Sequence, residues 1–128
     1  MRDLASNIGA IAALAPAVQS AAINGAAIDL HGFGSVAFIL NTGAIVSDGD
    51  FGAKVQESDT DVSNDFTDAA AAVVDTDAPA TLAAASAYKL GYRGHKRFVR
   101  LAITKAGGTS IAAGAVAVLG NAASRPVA

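Results

Sequence analysis

The sequence contains no cysteine and no tryptophan. Without cysteine, disulfide bonds, thiolate metal ligands and cysteine nucleophiles are excluded. Aromatic residues make up 5% of the chain although hydrophobic residues make up 52%, so much of the apolar content is alanine and valine. Each of these side chains buries little area, and burial contributes roughly 25 cal/mol per Å². The core must therefore consist of many small contacts, to which burial between subunits would add.

Net charge is also small, −2 at pH 7, which gives no overall attraction to nucleic acid. The charges are nevertheless sorted along the chain. Nine of the 11 acidic residues lie between 48 and 77, and six of the 9 basic residues lie between 89 and 105. If the two groups lie on different faces, they offer complementary patches to a partner or a sister subunit. The alternative is that both groups are simply solvated.

The chain lacks a good membrane-spanning stretch. Residues 4–28 carry no charge, but Asn7, Pro16 and Gln19 interrupt them, and alanine and glycine dominate, which makes a poor bilayer span. As a signal peptide the segment lacks a basic start, because Asp3 directly follows Arg2. We therefore expect no membrane partner and a mature chain that keeps its first methionine.

No catalytic motif is present in the sequence. His31 and His95 stand in no metal-ligand spacing, and there is no Gly-x-Ser-x-Gly elbow or glycine-rich phosphate loop. Residues 59–65 resemble the start of a calcium loop, but Asn64 and Ala70 stand where that loop needs glycine and a bidentate glutamate. We predict a non-enzyme with no catalytic residue, no cofactor and no metal site. Weak calcium binding at 59–65 is the alternative to a plain loop.

After Pro16 the pattern is one of short β-strands separated by turn residues. Asn24 and Gly25 form the pair preferred in a tight type I′ hairpin, which predicts that residues 17–23 and 26–30 pair with each other. Residues 35–41 are apolar in both alternating phases. This predicts a central strand that is covered on both sides.

Later strands alternate more clearly. In residues 51–57 one phase is apolar and the other carries Lys54 and Gln56, which indicates a half-exposed strand. Three further strands are predicted at 85–92, 97–105 and 110–119. Seven to eight short antiparallel strands predict an all-β, single-domain β-sandwich of jelly-roll type.

The beginning of the chain has two interpretations. Residues 1–16 are rich in alanine, which favours a short helix that Pro16 would end. An extended N-terminal arm that lies on a neighbouring subunit is equally compatible. The sandwich domain is predicted over residues 17–128.

Two stretches resemble parts of small structural proteins of tailed phages. Residues 51–59, followed by Phe-Thr-Asp at 66–68, resemble a strand–acidic turn–strand hairpin common in those proteins. Residues 91–101 resemble their Gly-Tyr-Arg-Gly-x-Lys-Arg-aromatic-x-Arg strand. The opening Met-Arg-Asp-Leu, the Gly-Gly-Thr-Ser turn at 107–110 and Val-Ala-Val-Leu-Gly at 116–120 are also similar, so the resemblance covers nearly the whole chain. The acidic turn at 59–65 is longer than the compact turn of those proteins.

The resemblance implies a capsid decoration, or cement, protein of a tailed bacteriophage. Such a protein is a virion component that trimerises on the outer surface of the capsid, after assembly in the host cytoplasm. The partners implied are the major capsid protein and two further copies of the chain in a homotrimer. Neither nucleic acid nor a membrane is expected as a partner.

We expect the interface to lie around the basic segment. Its cations would pair with acidic groups of a partner, and two aromatic side chains would anchor the contact, although Phe98 fits the core equally well. These residues are Arg93, Lys96, Arg97 and Arg100 for charge pairing, with Tyr92 and Phe98 as anchors.

Two alternatives remain open. The first is another structural role in the particle, as a tail-tube, head–tail connector or head-fibre component. The second is a carbohydrate-binding β-sandwich used for host attachment. Such modules usually stack exposed aromatic rings on sugars, for which a chain with no tryptophan and two tyrosines is poorly equipped.

Overall fold

The computed structural model describes residues 3–122 and confirms the β-sandwich, which consists of two antiparallel five-stranded sheets. Residues 1–2, and residues 123–128 of the predicted sandwich domain, lie outside the described residues. Sheet A contains, in spatial order, β1 (Gly9–Gln19), β10 (Ser110–Ala122), β4 (Phe33–Val46), β8 (Ala87–Tyr92) and β7 (Val74–Thr76).

Sheet B is built on two long central strands with short strands beside them. Its spatial order is β2 (Ile23–Asn24), β9 (Phe98–Gly107), β5 (Asp50–Ser58) and β6 (Thr67–Asp68), with β3 (Ile28–Asp29) also pairing with β9. Three short 3-10 turns occur, at Ala5–Asn7, Ser63–Asp65 and Ala71–Val73. The predicted strands at 51–57, 97–105 and 110–119 correspond to β5, β9 and β10. Residues 3–122 contain ten strands rather than seven or eight because four of them are only two or three residues long.

The core lies between the two sheets and combines a few large side chains with many small ones. Phe38 and Leu40 of β4 face Phe51 of β5 and Leu101 of β9, and all four are fully buried. On β10 the inward phase consists largely of alanine, at positions 113, 115 and 117. In β4 and β10 alternate residues point inward, as in other sandwiches, so the core has the small-side-chain character that the composition predicts.

The interpretation of residues 1–16 as an arm or a helix is wrong for their second half. Residues 9–16 belong to β1, which pairs with β10 from Gly9 opposite Leu119 onward. Ala13 and Leu14 are buried in the core, and this burial overrides the helix preference of alanine. Pro16 lies beside an irregularity of the β1–β10 register on an edge strand, where proline is tolerated.

The predicted hairpin at Asn24 and Gly25 is also wrong. The short strands on either side of Gly25 both pair with β9 and not with each other, and neither residue has a positive φ. Gly25 N–H donates to the Leu101 carbonyl (2.7 Å), and Ala26 N–H donates to the Ala13 carbonyl (2.8 Å). The glycine therefore lies where the chain bridges sheet B to β1 of sheet A.

The strand at 35–41 is central, as predicted, but only one of its faces is covered. It forms part of β4, the middle strand of sheet A. Val36, Phe38 and Leu40 point into the core and are buried, whereas Ile39 points outward and is 39% exposed. The outer face of sheet A therefore carries apolar side chains that the described chain does not cover.

Candidate functional site

The β8–β9 loop brings the basic segment to one end of the sandwich, where it meets the acidic segment of the same chain. The guanidinium of Arg93 forms an ion pair with Asp75 and donates a further hydrogen bond to the Ala72 carbonyl (2.9 Å). Lys96 Nζ lies 2.8 Å from Asp59 Oδ2. Two ion pairs therefore join the basic segment to the acidic segment at this end of the sandwich.

Arg97 has a partner from a different part of the chain. Its Nε and Nη2 each donate a 2.9 Å hydrogen bond to one carboxylate oxygen of Asp29, in a two-pronged arrangement. This contact, followed by the hydrogen bond from the backbone N–H of His31, lowers the pKa of Asp29 to about 2. The guanidinium also lies 5.1 Å from the centre of the Phe98 ring, which is itself partly buried.

Arg100 is not a surface residue. It is 7% exposed, on the outer face of sheet B beneath the 59–66 loop. Its Nε donates to Gln56 Oε1 (2.7 Å), its Nη1 donates to Ser63 Oγ (3.0 Å), and its guanidinium carbon lies 4.4 Å from the centre of the Phe66 ring. Little of this side chain remains for a contact with another molecule.

Tyr92 also lies inside the sandwich, in the hydrophobic core cluster. Its hydroxyl donates to Glu57 Oε1 (2.8 Å) and accepts the backbone N–H of Lys96 (3.1 Å). Burial, in the first place, and the neighbouring carboxylate of Glu57 together raise the pKa of Tyr92 to about 12. The structure therefore places this predicted anchor in the core, beneath the loop that carries Arg93.

A cavity of about 560 Å³ lies beside this loop and is lined by both histidines, which are far apart in sequence. Leu30 and Phe33 provide apolar lining, and the three cations of the loop lie at its rim, each paired with a carboxylate. In the part of the chain that the structure describes, no group of three or more histidine, aspartate or glutamate side chains is arranged to hold a metal ion. The cavity therefore has paired charge at its rim and no assembled ligand set.

The acidic loop at 59–65 uses its polar groups locally. Thr60 Oγ1 donates to Asp65 Oδ2 (2.6 Å), and the backbone N–H of Thr60 donates to Ser58 Oγ (3.0 Å). Asp59 is paired with Lys96. The loop ends in the 3-10 turn Ser63–Asp65, and its weak calcium binding stays an untested alternative.

The second candidate surface is the outer face of sheet A over β1, β10 and β4. Ala12, Val116 and Ile39 are neighbours across these three strands, and their side chains point outward. Val116 is 42% exposed, and Val18 of β1 is 68% exposed. We call this surface the apolar strip; it comprises Ala10, Ala12, Pro16, Val18, Ala37, Ile39, Ala112, Gly114, Val116 and Val118.

A shallow groove of about 750 Å³ runs along the strip. Of the described residues that line it, none is charged, and only Asn41 and Thr42 have polar side chains. Charge begins beyond β4. Lys89 of β8 is opposite Ile39 in the register, and the carboxylate of Asp77, the residue after β7, accepts the backbone N–H of Lys89 (2.9 Å). The sheet face therefore has an apolar centre and a charged margin.

The apolar strip corresponds to a pattern in the sequence that predicted a strand covered on both sides. In β4 and β10 both alternating phases are apolar. This pattern is typical of a strand that is covered on both sides, and it does not distinguish coverage by the same chain from coverage by another molecule. The strip was therefore missed as a candidate site.

No protein-family model and no curated protein sequence matches the chain. Among the described residues, no helix has the length and apolar character needed to cross a membrane.

Proposed function

We propose that this chain is a structural virion protein that decorates the capsid of a tailed phage from outside, as a trimer bound to the assembled major capsid protein. The observation that carries the proposal is the apolar strip, an exposed, uncharged surface three strands wide. Soluble monomers rarely expose a large contiguous apolar patch, and such patches usually mark contacts with other proteins. A protein whose main exposed feature is a surface of this kind is suited to assembly.

The phage assignment rests on the sequence resemblance, and one of the two stretches that carry it contains the loop with the exposed cations. Residues 91–101 form the end of β8, the β8–β9 loop and the start of β9. The loop holds Arg93, Lys96 and Arg97 at the surface in defined ion pairs. More than half of the Arg93 and Arg97 side chains is exposed, so both can meet carboxylates of the capsid protein at the margin of a contact.

The proposed mechanism is stabilisation of the lattice by mass action. A protein that binds the assembled lattice but not its loose subunits shifts the equilibrium toward the lattice. A trimer offers three binding sites at once, so each contact with the capsid can be weak while the whole attachment is strong. Extensive local ion pairing on the loop keeps the contacting groups in place.

The proposal is tested by counting and binding on particles of the phage that encodes the chain. Quantitative mass spectrometry of purified virions should give copies on the order of hundreds, in proportion to the capsid protein. The purified protein should co-sediment with heads that lack it and not with unassembled capsid subunits. A count of roughly six or twelve copies, as in a ring-shaped connector, or absence from the virion, would overturn the proposal.

A further inference from the structure

We propose that the apolar strip of sheet A binds a second copy of this chain, so that neighbouring subunits pack through their sheet A faces. The same strip of two copies meets in this contact, so the contact is two-fold; it goes beyond the proposed function, whose trimer it does not build. Three observations carry it: the shape of the strip, the charges at its margin, and the location of the other charged surface.

The strip has the shape required for packing one sheet on another. Its side chains are small, and at Gly114 the ring of Pro16 lies so close that an added Cβ would stand 2.9 Å from the proline Cα. Apolar sheet faces pack on one another at about 10 Å separation. A copy of the chain supplies such a face, and because the strip carries no charge, two strips meet without repulsion between like charges.

The margin of the strip is complementary to itself. Lys89 of β8 and Asp77, the residue after β7, lie side by side, and both are exposed. When a second copy covers the strip, the lysine of one subunit can approach the carboxylate of the other, which fixes orientation more than affinity. An apolar centre with a polar rim is the usual composition of a protein interface.

The remaining surfaces favour contact through the sheet face. At the β1 edge, the carbonyl of Ala13 already accepts the N–H of Ala26, so this edge is partly occupied and does not offer a continuous ladder to another strand. The exposed cations Arg93 and Arg97 both lie on the β8–β9 loop. One subunit can therefore bind its copy through the strip and the capsid through the charged loop.

Single cysteine variants test the inference directly, because the chain has no cysteine of its own. Val116→Cys and Ile39→Cys place a thiol on the strip. Val62→Cys is the matched control, since Val62 is a valine of similar exposure, 53%, in the acidic loop. All three changes are small, and the fold of each variant is checked by circular dichroism.

The readout is the rate of maleimide labelling over a range of protein concentrations, with molecular mass measured by light scattering. We expect a mass equal to an even number of 12.6 kDa subunits and loss of labelling at positions 116 and 39 when the protein is concentrated, with labelling restored on dilution. Position 62 should react at all concentrations. Equal labelling of all three variants in a sample above monomer mass, or a monomer at every concentration, would overturn the inference.

A Val116→Lys variant separates this inference from the proposed function, with Val62→Lys as its control. A halving of the mass of the oligomer by Val116→Lys alone, with the fold retained, supports contact between copies, whether or not the wild-type protein binds phage heads. If the wild type does not bind heads in that case, the decoration role fails while the self-contact stands. If Val116→Lys keeps the oligomer and loses head binding, the strip belongs to the capsid contact, and the self-contact is overturned while decoration stands.

Discussion

The hydroxyl of Tyr92 donates a 2.8 Å hydrogen bond to Oε1 of Glu57 and thereby joins the two sheets of the sandwich. Tyr92 is the last residue of β8 in sheet A, and Glu57 lies near the end of β5 in sheet B. The same hydroxyl accepts the backbone N–H of Lys96 (3.1 Å). One phenol therefore connects two sheets and the loop that carries the exposed cations.

Tyr92→Phe should lower the free energy of unfolding by about 1 kcal/mol, the usual net contribution of a hydrogen bond with a partly buried group. The ring remains in the core, while the Lys96 N–H and the Glu57 carboxylate each lose a partner. Urea unfolding measures the change, with an unchanged slope expected. The control is Tyr88→Phe, whose hydroxyl accepts only the exposed N–H of Ala83 (3.0 Å). An equal loss in both variants would contradict the cross-sheet role of Tyr92.

The raised pKa of Tyr92, about 12, predicts a loss of stability at high pH. Because the folded value lies above the ordinary value of about 10, the contribution of the neutral phenol is fully present below about pH 10 and is lost as pH rises through about 12. Absorbance titration should show a phenol that ionises near 12 in the wild type and is missing from Tyr92→Phe. In Glu57→Gln the pKa should fall but stay above 10, since burial is the largest cause of the shift.

The lowered pKa of Asp29, about 2, has the opposite sign. Its folded value lies below the ordinary value of about 4, so the stabilisation by the carboxylate is present above about pH 4 and is lost as pH falls through about 2. In Arg97→Gln the pKa of Asp29 should rise toward the ordinary value, and the midpoint of acid unfolding should rise with it. Carboxyl chemical shifts followed by NMR measure the pKa. Lys54→Gln, which removes the partner of Asp68, should leave Asp29 unchanged; no difference between wild type and Arg97→Gln would refute the assignment.

The parts of the fold that were predictable from sequence are those set by local alternation. In β5 the outward Lys54 and Gln56 alternate with the inward Val55. This period of two predicts a half-covered strand without any knowledge of its neighbours. The strand β1 was not predictable in this way. Its alanine run favours a helix locally, and its partner β10 begins at Ser110, about one hundred residues further along the chain.

The candidate site was less predictable than the fold, because its geometry depends on pairings between distant residues. Arg97 meets Asp29, which is 68 positions away, and Lys96 meets Asp59 only because β8 and β5 end near each other. Counting charges along the chain revealed the acidic and basic segments but not the two ion pairs that join them, Arg93 with Asp75 and Lys96 with Asp59. The apolar strip was visible as a pattern in β4 and β10, but sequence does not say which molecule covers an apolar face.

Gly25 provides a test of the bridge between sheet B and β1. The sequence pattern wrongly predicted a hairpin at this position. A Cβ at this position would stand 2.4 Å from the carbonyl oxygen of Ala13 and 2.8 Å from that of Leu101. These two oxygens accept the hydrogen bonds that form the bridge, so Gly25→Ala must displace one strand or both. We expect a loss of about 1–3 kcal/mol, typical of overpacking in a well-packed region.

Two controls distinguish this close approach from a requirement for a turn. Gly107→Ala places its Cβ in open space and should change stability by no more than about 0.5 kcal/mol. Asn24→Val should also be tolerated, because Asn24 is an exposed residue of the extended strand β2, where a β-branched side chain is favourable. A type I′ hairpin would instead require positive φ at residue 24 and penalise valine there. Thermal unfolding of the three variants separates the two arrangements: a large loss in Asn24→Val together with a small one in Gly25→Ala would contradict the bridge.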